Sequence, residues 1–400
     1  MNLERACNAA GRHRAYVPLL LALAVLLLAG CSGQQYVASS WPGLTVNNNV
    51  AYVAFNQYLF ALDPVAQRVQ WQFKNPLNAK STYYAAPALS DGVLVMGGYD
   101  NVLYGVDRET LAVRWSFHLA SDRYIGSPVI SDGYVYVATA GHELFALSLQ
   151  ELERLGGVEK ADEARRQMEQ VAIRWKFSAS HGMWAAPLLT DRALYVTSLD
   201  HHIYALEVET GRLIWSKELA GAMAGQPQLS EDGTTLYVGN FDYSLYALDA
   251  ATGEQRWEIE SENWVWGQPT LAGDKLFFGD LGGYLYAVDS ENGTVLWKQQ
   301  VADTIRSEVV FDANTDRLYV AGRKVANPGN VSTRGVVLAL DTATYRVIWE
   351  QAMGEAIYTS PVLMDGLLLV APSQGEILLL TLNADTGVVQ WRFYPTSADQ

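Results

Sequence analysis

Apolar and polar residues alternate in short runs along most of the chain. One stretch reads Gln226-Pro227-Gln228-Leu229, then Thr235-Leu236-Tyr237-Val238-Gly239, then Ser244-Leu245-Tyr246-Ala247-Leu248-Asp249, then Glu254 to Ile259. Runs of this length, rich in β-branched and aromatic residues and separated by Gly, Asp and Thr, predict strands joined by tight turns. Nowhere does this repeating pattern hold apolar residues at i, i+3 and i+4 for the roughly ten residues that a packed helix needs.

The pattern recurs. Trp71, Trp115, Trp175, Trp215, Trp257, Trp297, Trp349 and Trp391 each close a copy, at intervals of 44, 60, 40, 42, 40, 52 and 42 residues. A period of about 40 to 45 residues made of four strands is the length of one propeller blade. The expected fold class is therefore all-β, an eight-bladed β-propeller of four-stranded antiparallel blades with one short helical insertion. Ring closure should bring the first blade, near Leu44 to Val53, against the last, near Val388 to Phe393.

Each copy has a physical logic. In Ala247-Leu248-Asp249-Ala250-Ala251-Thr252-Gly253-Glu254-Gln255-Arg256-Trp257 the Thr-Gly pair supplies a positive-φ turn, and Asp249 can accept hydrogen bonds from the turn amides. The tryptophan is expected to seal the joint between blades, burying on the order of 200 Å². Asp63, Asp107, Glu207, Asp249, Asp289 and Asp341 recur at one position, which suits turn capping; a catalytic site needs an acid and a base in different environments.

The spacing Ala-x-Asp-x-x-Thr-Gly-x-x-x-Trp resembles the quinoprotein-type, or PQQ-like, β-propeller repeat, over residues 42 to 394. The first two copies, through Pro64 to Gln70 and Arg108 to Arg114, lack the Thr-Gly pair. The third holds Phe145-Ala146-Leu147 and Ile173-Arg174-Trp175 about twenty residues apart.

Two insertions break the period. Residues 150–170 are charged, with Leu152, Leu155, Ala161, Ala164, Met168 and Val171 on one side of a helical projection, and predict an amphipathic helix interrupted at Gly156-Gly157. It either lies on its own blade or docks a partner. Residues 324–334 contain Asn327-Pro328-Gly329-Asn330 and predict a flexible loop.

Arg5, Arg12 and Arg14 precede an apolar run from Val17 to Leu28 that ends in Leu28-Ala29-Gly30-Cys31. The run is shorter than the roughly 20 residues of a membrane-spanning helix. It resembles a bacterial lipoprotein signal, with residues 1–30 removed, Cys31 lipidated and residues 31–41 a tether to a propeller over residues 42–400. The location implied is the cell envelope, on a membrane through the lipid. Loss of Cys7 with the signal and lipidation of Cys31 would leave no thiol for a disulfide. The chain has a net charge of −15, and removing three arginines with the signal makes it more acidic, so nucleic acid is not an expected partner.

Catalytic signatures are absent from the sequence: the six histidines make no metal-ligand spacing, and no nucleophile elbow or phosphate loop is present. The informative asymmetry lies ahead of the blade-opening prolines. Three residues before Pro87, Pro187, Pro269 and Pro361 stand Tyr84, Trp184, Trp266 and Tyr358, with Tyr124 and Trp264 nearby; in blade seven, where Glu308 is read as replacing the proline, Arg306 joins them. Aromatic residues and arginine are favoured at interface hot spots. Tyr84, Tyr124, Trp184, Trp264, Trp266, Arg306 and Tyr358 are therefore the candidate partner-binding residues, as an aromatic collar; packing at the channel mouth is the other reading.

Three functional classes follow. The lipobox, blade number and size resemble the propeller lipoproteins of outer-membrane β-barrel assembly. That resemblance implies a non-catalytic scaffold, monomeric within a complex, gripping a β-barrel assembly factor or another envelope protein through loops such as 221–226 and 261–268. The quinoprotein dehydrogenases share the repeat, but no calcium-ligand set or cysteine pair stands out, so no cofactor or metal is expected. A propeller binding a ligand or cell-wall polymer through sugar stacking is the third class.

Overall fold

The computed structural model describes residues 42–395 except 91, 157–165, 167–168, 326–332 and 374. The expected signal segment, Cys31 and the tether lie outside the described residues. So do the middle of the 150–170 insertion and the tip of the 324–334 insertion.

Thirty-two strands form eight four-stranded antiparallel sheets, each made of consecutive strands. Blade 1 is β1 to β4, from Gly43–Asn47 to Arg68–Lys74, and blade 8 is β29 to β32, from Val362–Met364 to Val389–Phe393. The described residues are thus the all-β, eight-bladed propeller of four-stranded antiparallel blades that the repeat predicts. Neither terminal strand crosses the seam, because blades 1 and 8 are each complete from contiguous chain.

Alternation drives the packing. Second and third strands such as Leu245-Tyr246-Ala247-Leu248 are buried on both faces, since each blade is covered by a neighbour on either side. The core is therefore eight separate apolar layers, one per blade interface. At the seam Leu44, Val53 and Phe60 of blade 1 pack with Leu369, Leu379 and Phe393 of blade 8, and the Phe60 and Phe393 ring centroids stand 5.2 Å apart. The Thr359 hydroxyl donates to the Pro42 carbonyl at 2.7 Å across the same joint.

The tryptophans bridge blades through the next blade's turn. Trp175, Trp215 and Trp349 donate their indole N–H to the carbonyls of Val208, Ala250 and Ala384, at 2.8, 3.1 and 3.0 Å. Where the Thr-Gly pair is missing, the positive φ persists at Gln67, Leu111 and Tyr345, with φ of 54°, 58° and 59°. Tyr345 stacks on Trp297 at 5.1 Å, so a side chain takes the place of the bare Cα. Asp249 accepts from the amides of Ala251 and Thr252 and from the Thr252 hydroxyl, and Asp107 and Asp341 cap their turns in the same way. Hydrogen-bond donors of this kind, joined at Asp249 by the Arg256 guanidinium, hold all three carboxyls below the usual range.

The insertion after β11 (Glu143–Ser148) begins with helix α1, Leu149–Leu155, capped by Ser148, whose side chain accepts from the Glu151 amide. Leu152 is fully buried in the layer between blades 2 and 3, together with Trp115 and Ala172. Glu153 accepts from the Trp115 indole at 3.2 Å. Blade 3 has no Thr-Gly turn to cover Trp115, and α1 supplies that cover. The described part of the helix therefore lies not on its own blade alone, as one reading has it, but in the joint between blades 2 and 3.

At its described edges the 324–334 insertion is strand where a loop is expected. β26 (Arg317–Val325) and β27 (Thr333–Asp341) are nine-residue strands whose ladder continues to Val325 opposite Thr333. Lys324 and Arg334 are thus strand residues, because the β-branched residues on both arms favour continuing the hairpin.

Candidate functional site

The first strand of every blade lines the axis, and ladder registers fix equivalent positions around it. Val310 pairs with Tyr319 as Ala88 pairs with Val95 and Thr45 with Tyr52. Val309 and Leu44 therefore occupy the place held by Pro87 elsewhere. This corrects the reading of Glu308 as the proline's replacement: Glu308 stands one residue earlier.

That earlier position forms a ring of its own. Gly43, Ala86, Ser127, Ala186, Gln226, Gln268, Glu308 and Ser360 come one from each blade, and all line an axial cavity of about 360 Å³. Four small residues face one half of the axis, while amides, a carboxyl and a hydroxyl face the other. The Gln268 side chain donates to Gln228 at 2.9 Å, and the Glu308 amide donates to the Ser360 hydroxyl at 3.0 Å. Burial alone pushes the Glu308 carboxyl up to about 7.

Two residues above this ring the collar appears. Arg306 lays its guanidinium 3.6 Å from the Trp266 ring centroid and 5.8 Å from that of Tyr358. Trp184 meets Trp266 at 6.0 Å. Burial lowers Arg306 to about 10, so it stays cationic at neutral pH. Trp264, 39% exposed, stacks on Phe241 at 4.9 Å, and Phe241 meets Trp266 at the same distance. The structure thus joins Trp184, Trp264, Trp266, Arg306 and Tyr358 into one aromatic and guanidinium surface.

Tyr84 belongs to a second group, with Tyr99 at 4.7 Å, and Arg123 lies over the Tyr99 ring at 5.5 Å. Tyr124 does not belong to the surface: it is fully buried beside Gly97, between blades 2 and 3. Its neighbours in register, Met183, Met223, Val265, Ile305 and Ile357, are fully buried as well. All lie in the loops ahead of the first strands, where the residue preceding each collar position turns into the blade interface.

Phe241 and Tyr99 carry stacking roles that the opening loops alone do not reveal. Both sit just after a second strand, and their amides donate to the Ala222 and Thr82 carbonyls of the opening loops at 2.9 Å. Aligning the hairpins as well as the openings would expose them.

Among the described residues no group of three His, Cys, Asp or Glu side chains is placed to hold a metal ion, and no helix is long and apolar enough to cross a membrane. A quinone cofactor of this repeat family would bring carboxylates and a calcium ion. The axial cavity offers one arginine, Arg306, and one carboxyl, Glu308, so the residues present do not fit that group.

Repeat, ring and turn chemistry together define an eight-bladed propeller of the PQQ-like class. Residues 32–170, 200–327 and 282–400 match the pattern of the family described as outer membrane protein assembly factor BamB, and the chain belongs to that family. It is 22% identical over 301 residues to the BamB of Moranella endobia, covering 72% of each chain. It is 26% identical over 155 residues to a polyvinylalcohol dehydrogenase of Pseudomonas, covering 32% of this chain and 23% of that one. Among solved structures, BamB from Moraxella catarrhalis matches with a TM-score of 0.64 at 19% identity, over 84% of this chain and 92% of the other.

Proposed function

We propose that this protein is a non-catalytic, lipid-anchored envelope scaffold whose collar face grips a protein of outer-membrane β-barrel assembly. The single observation that carries the reading is the continuous surface of Trp184, Trp264, Trp266, Arg306 and Tyr358, with Phe241 bracing it. Large rigid aromatics and a stacked arginine give area at low entropic cost, which is what a central anchor of an interface needs. Family membership and the role of the Moranella relative as an outer-membrane protein assembly factor support the choice of partner class. The dehydrogenase match covers a minor part of the chain, and the cavity lacks a donor set for the quinone.

The test is photocrosslinking in cells from a photoreactive residue at position 264 of the full chain. A crosslink to the barrel-forming subunit of the assembly machinery, absent when the residue sits instead at exposed position 232, supports the scaffold. Capture of a wall polymer, or no crosslink at 264, overturns it. Stoichiometric quinone binding with dye-linked alcohol oxidation would overturn it too.

A further inference from the structure

The eight-residue axial ring contains a single ionisable position, Glu308, where the other blades place Gly, Ala, Ser or Gln. Its carboxyl makes no ion pair among the described residues, and it faces a cavity of about 360 Å³. The volume lies within the range of small-molecule pockets and far exceeds one bare ion. Flanking Glu308 are the Gln268 amide and the Ser360 hydroxyl, with Gln226 and Ser127 completing the polar groups of the ring. Glu308 is half-buried at the cavity wall, and a carboxyl facing a cavity with no ion-pair partner is commonly used on a ligand.

We propose that the axial cavity is a binding site for an alkylammonium group, carried either by a free small amine or by a lysine side chain inserted through the collar. The ammonium supplies three donors: one for the Glu308 carboxylate and others for the Gln268 amide oxygen and the Ser360 hydroxyl. A hydrated inorganic cation is a poorer fit, since oxygen-ligated divalent ions need more than one carboxylate in most sites. The aliphatic stem matches the small half of the ring, Gly43, Ala86 and Ala186. The acidic chain, with its net charge of −15, draws cations toward the mouth. The other titratable groups lining the cavity are Arg306, Tyr84 and Tyr358; Arg306 is committed to the Trp266 face one level above. Binding is a proton exchange near neutrality: the ammonium enters, the Glu308 carboxyl gives its proton to solvent, and charge is conserved.

The test uses the full chain in detergent micelles, titrated with n-butylammonium, with Nα-acetyl-lysine methylamide, and with n-butanol as the uncharged control, by calorimetry in two buffers of different ionisation enthalpy. Saturable binding of n-butylammonium at pH 8, about tenfold weaker at pH 6 as the ionised fraction falls, with proton release at pH 6 that fades by pH 8 and no butanol binding, is the expected result. Glu308→Gln and Glu308→Ser should each lose binding at least about tenfold while folding normally. Lysine-amide binding alongside butylammonium identifies a partner's side chain as the source, and its exclusion identifies a free amine. No saturation at pH 8, or affinity in the Glu308 variants unchanged from that of the unsubstituted chain, overturns the proposal.

Discussion

The six-membered ring of Trp215 rests on Gly253 of the next blade so closely that a Cβ there would lie 2.6 Å from Trp215 Cε3. Gly253 also sits at φ 74°. Gly253→Ala thus meets both an overpacked joint and left-handed backbone, and should destabilise by about 2 to 4 kcal/mol. Gly366, at φ 75° with open space for 4 Å around the place a Cβ would take, separates the two causes. Gly366→Ala should lose only about 1 to 2 kcal/mol. Urea denaturation of both variants checks the difference.

Leu152 of α1 and Trp115 of blade 2 share one buried layer. Leu152→Ala should therefore cost about 2 to 5 kcal/mol and Trp115→Ala about 3 to 5, measured by the same denaturation. A cost near zero for Leu152 would show that the helix rests on the surface and is available to a partner.

Glu308 makes stability fall as pH rises. Its carboxyl is raised from 4.5 to about 7, so the folded chain holds the proton more tightly than the unfolded one. The stabilisation is complete below pH 4.5 and is lost as pH rises through about 7, by at most about 3 kcal/mol. Glu308→Gln should flatten stability over this window and raise the melting temperature at pH 8. Carboxyls held low by their turns, Asp107, Asp249 and Asp341, act in the opposite sense and only at more acid pH.

Arg306→Lys keeps the charge and loses the planar stacking on Trp266. It should weaken crosslinking from position 264 by several-fold with little change in melting temperature. Equal loss of stability in Arg306→Lys and Trp266→Ala would make the collar packing alone.

The repeat is legible because its signals are local: one tryptophan per blade, a turn before it and a turn carboxyl in six of the eight blades, each bound to neighbours within a dozen residues or in the adjoining blade. The face of a strand is harder to read in a loop without regular alternation, which is why Tyr124 looks like Trp184 in the sequence. Met183 and Val265 reveal the buried phase only once the registers are known. Glu308 passes for the proline's substitute because Ser307-Glu308-Val309-Val310 lacks any proline to anchor the alignment. The role of α1 is hidden because its partner, Trp115, is remote in sequence and covered in other blades by a turn.

Since every blade is finished by its own four consecutive strands, the molecule has no clasp. Each blade can form as soon as its last strand is synthesised, and Phe60 waits for Phe393 only at the final step. The joint between first and last blades is chemically like the other seven, so a cut between any two blades leaves fragments with complementary open ends. Such halves should reassociate when mixed, and the ring should accept new termini at any inter-blade loop away from the collar.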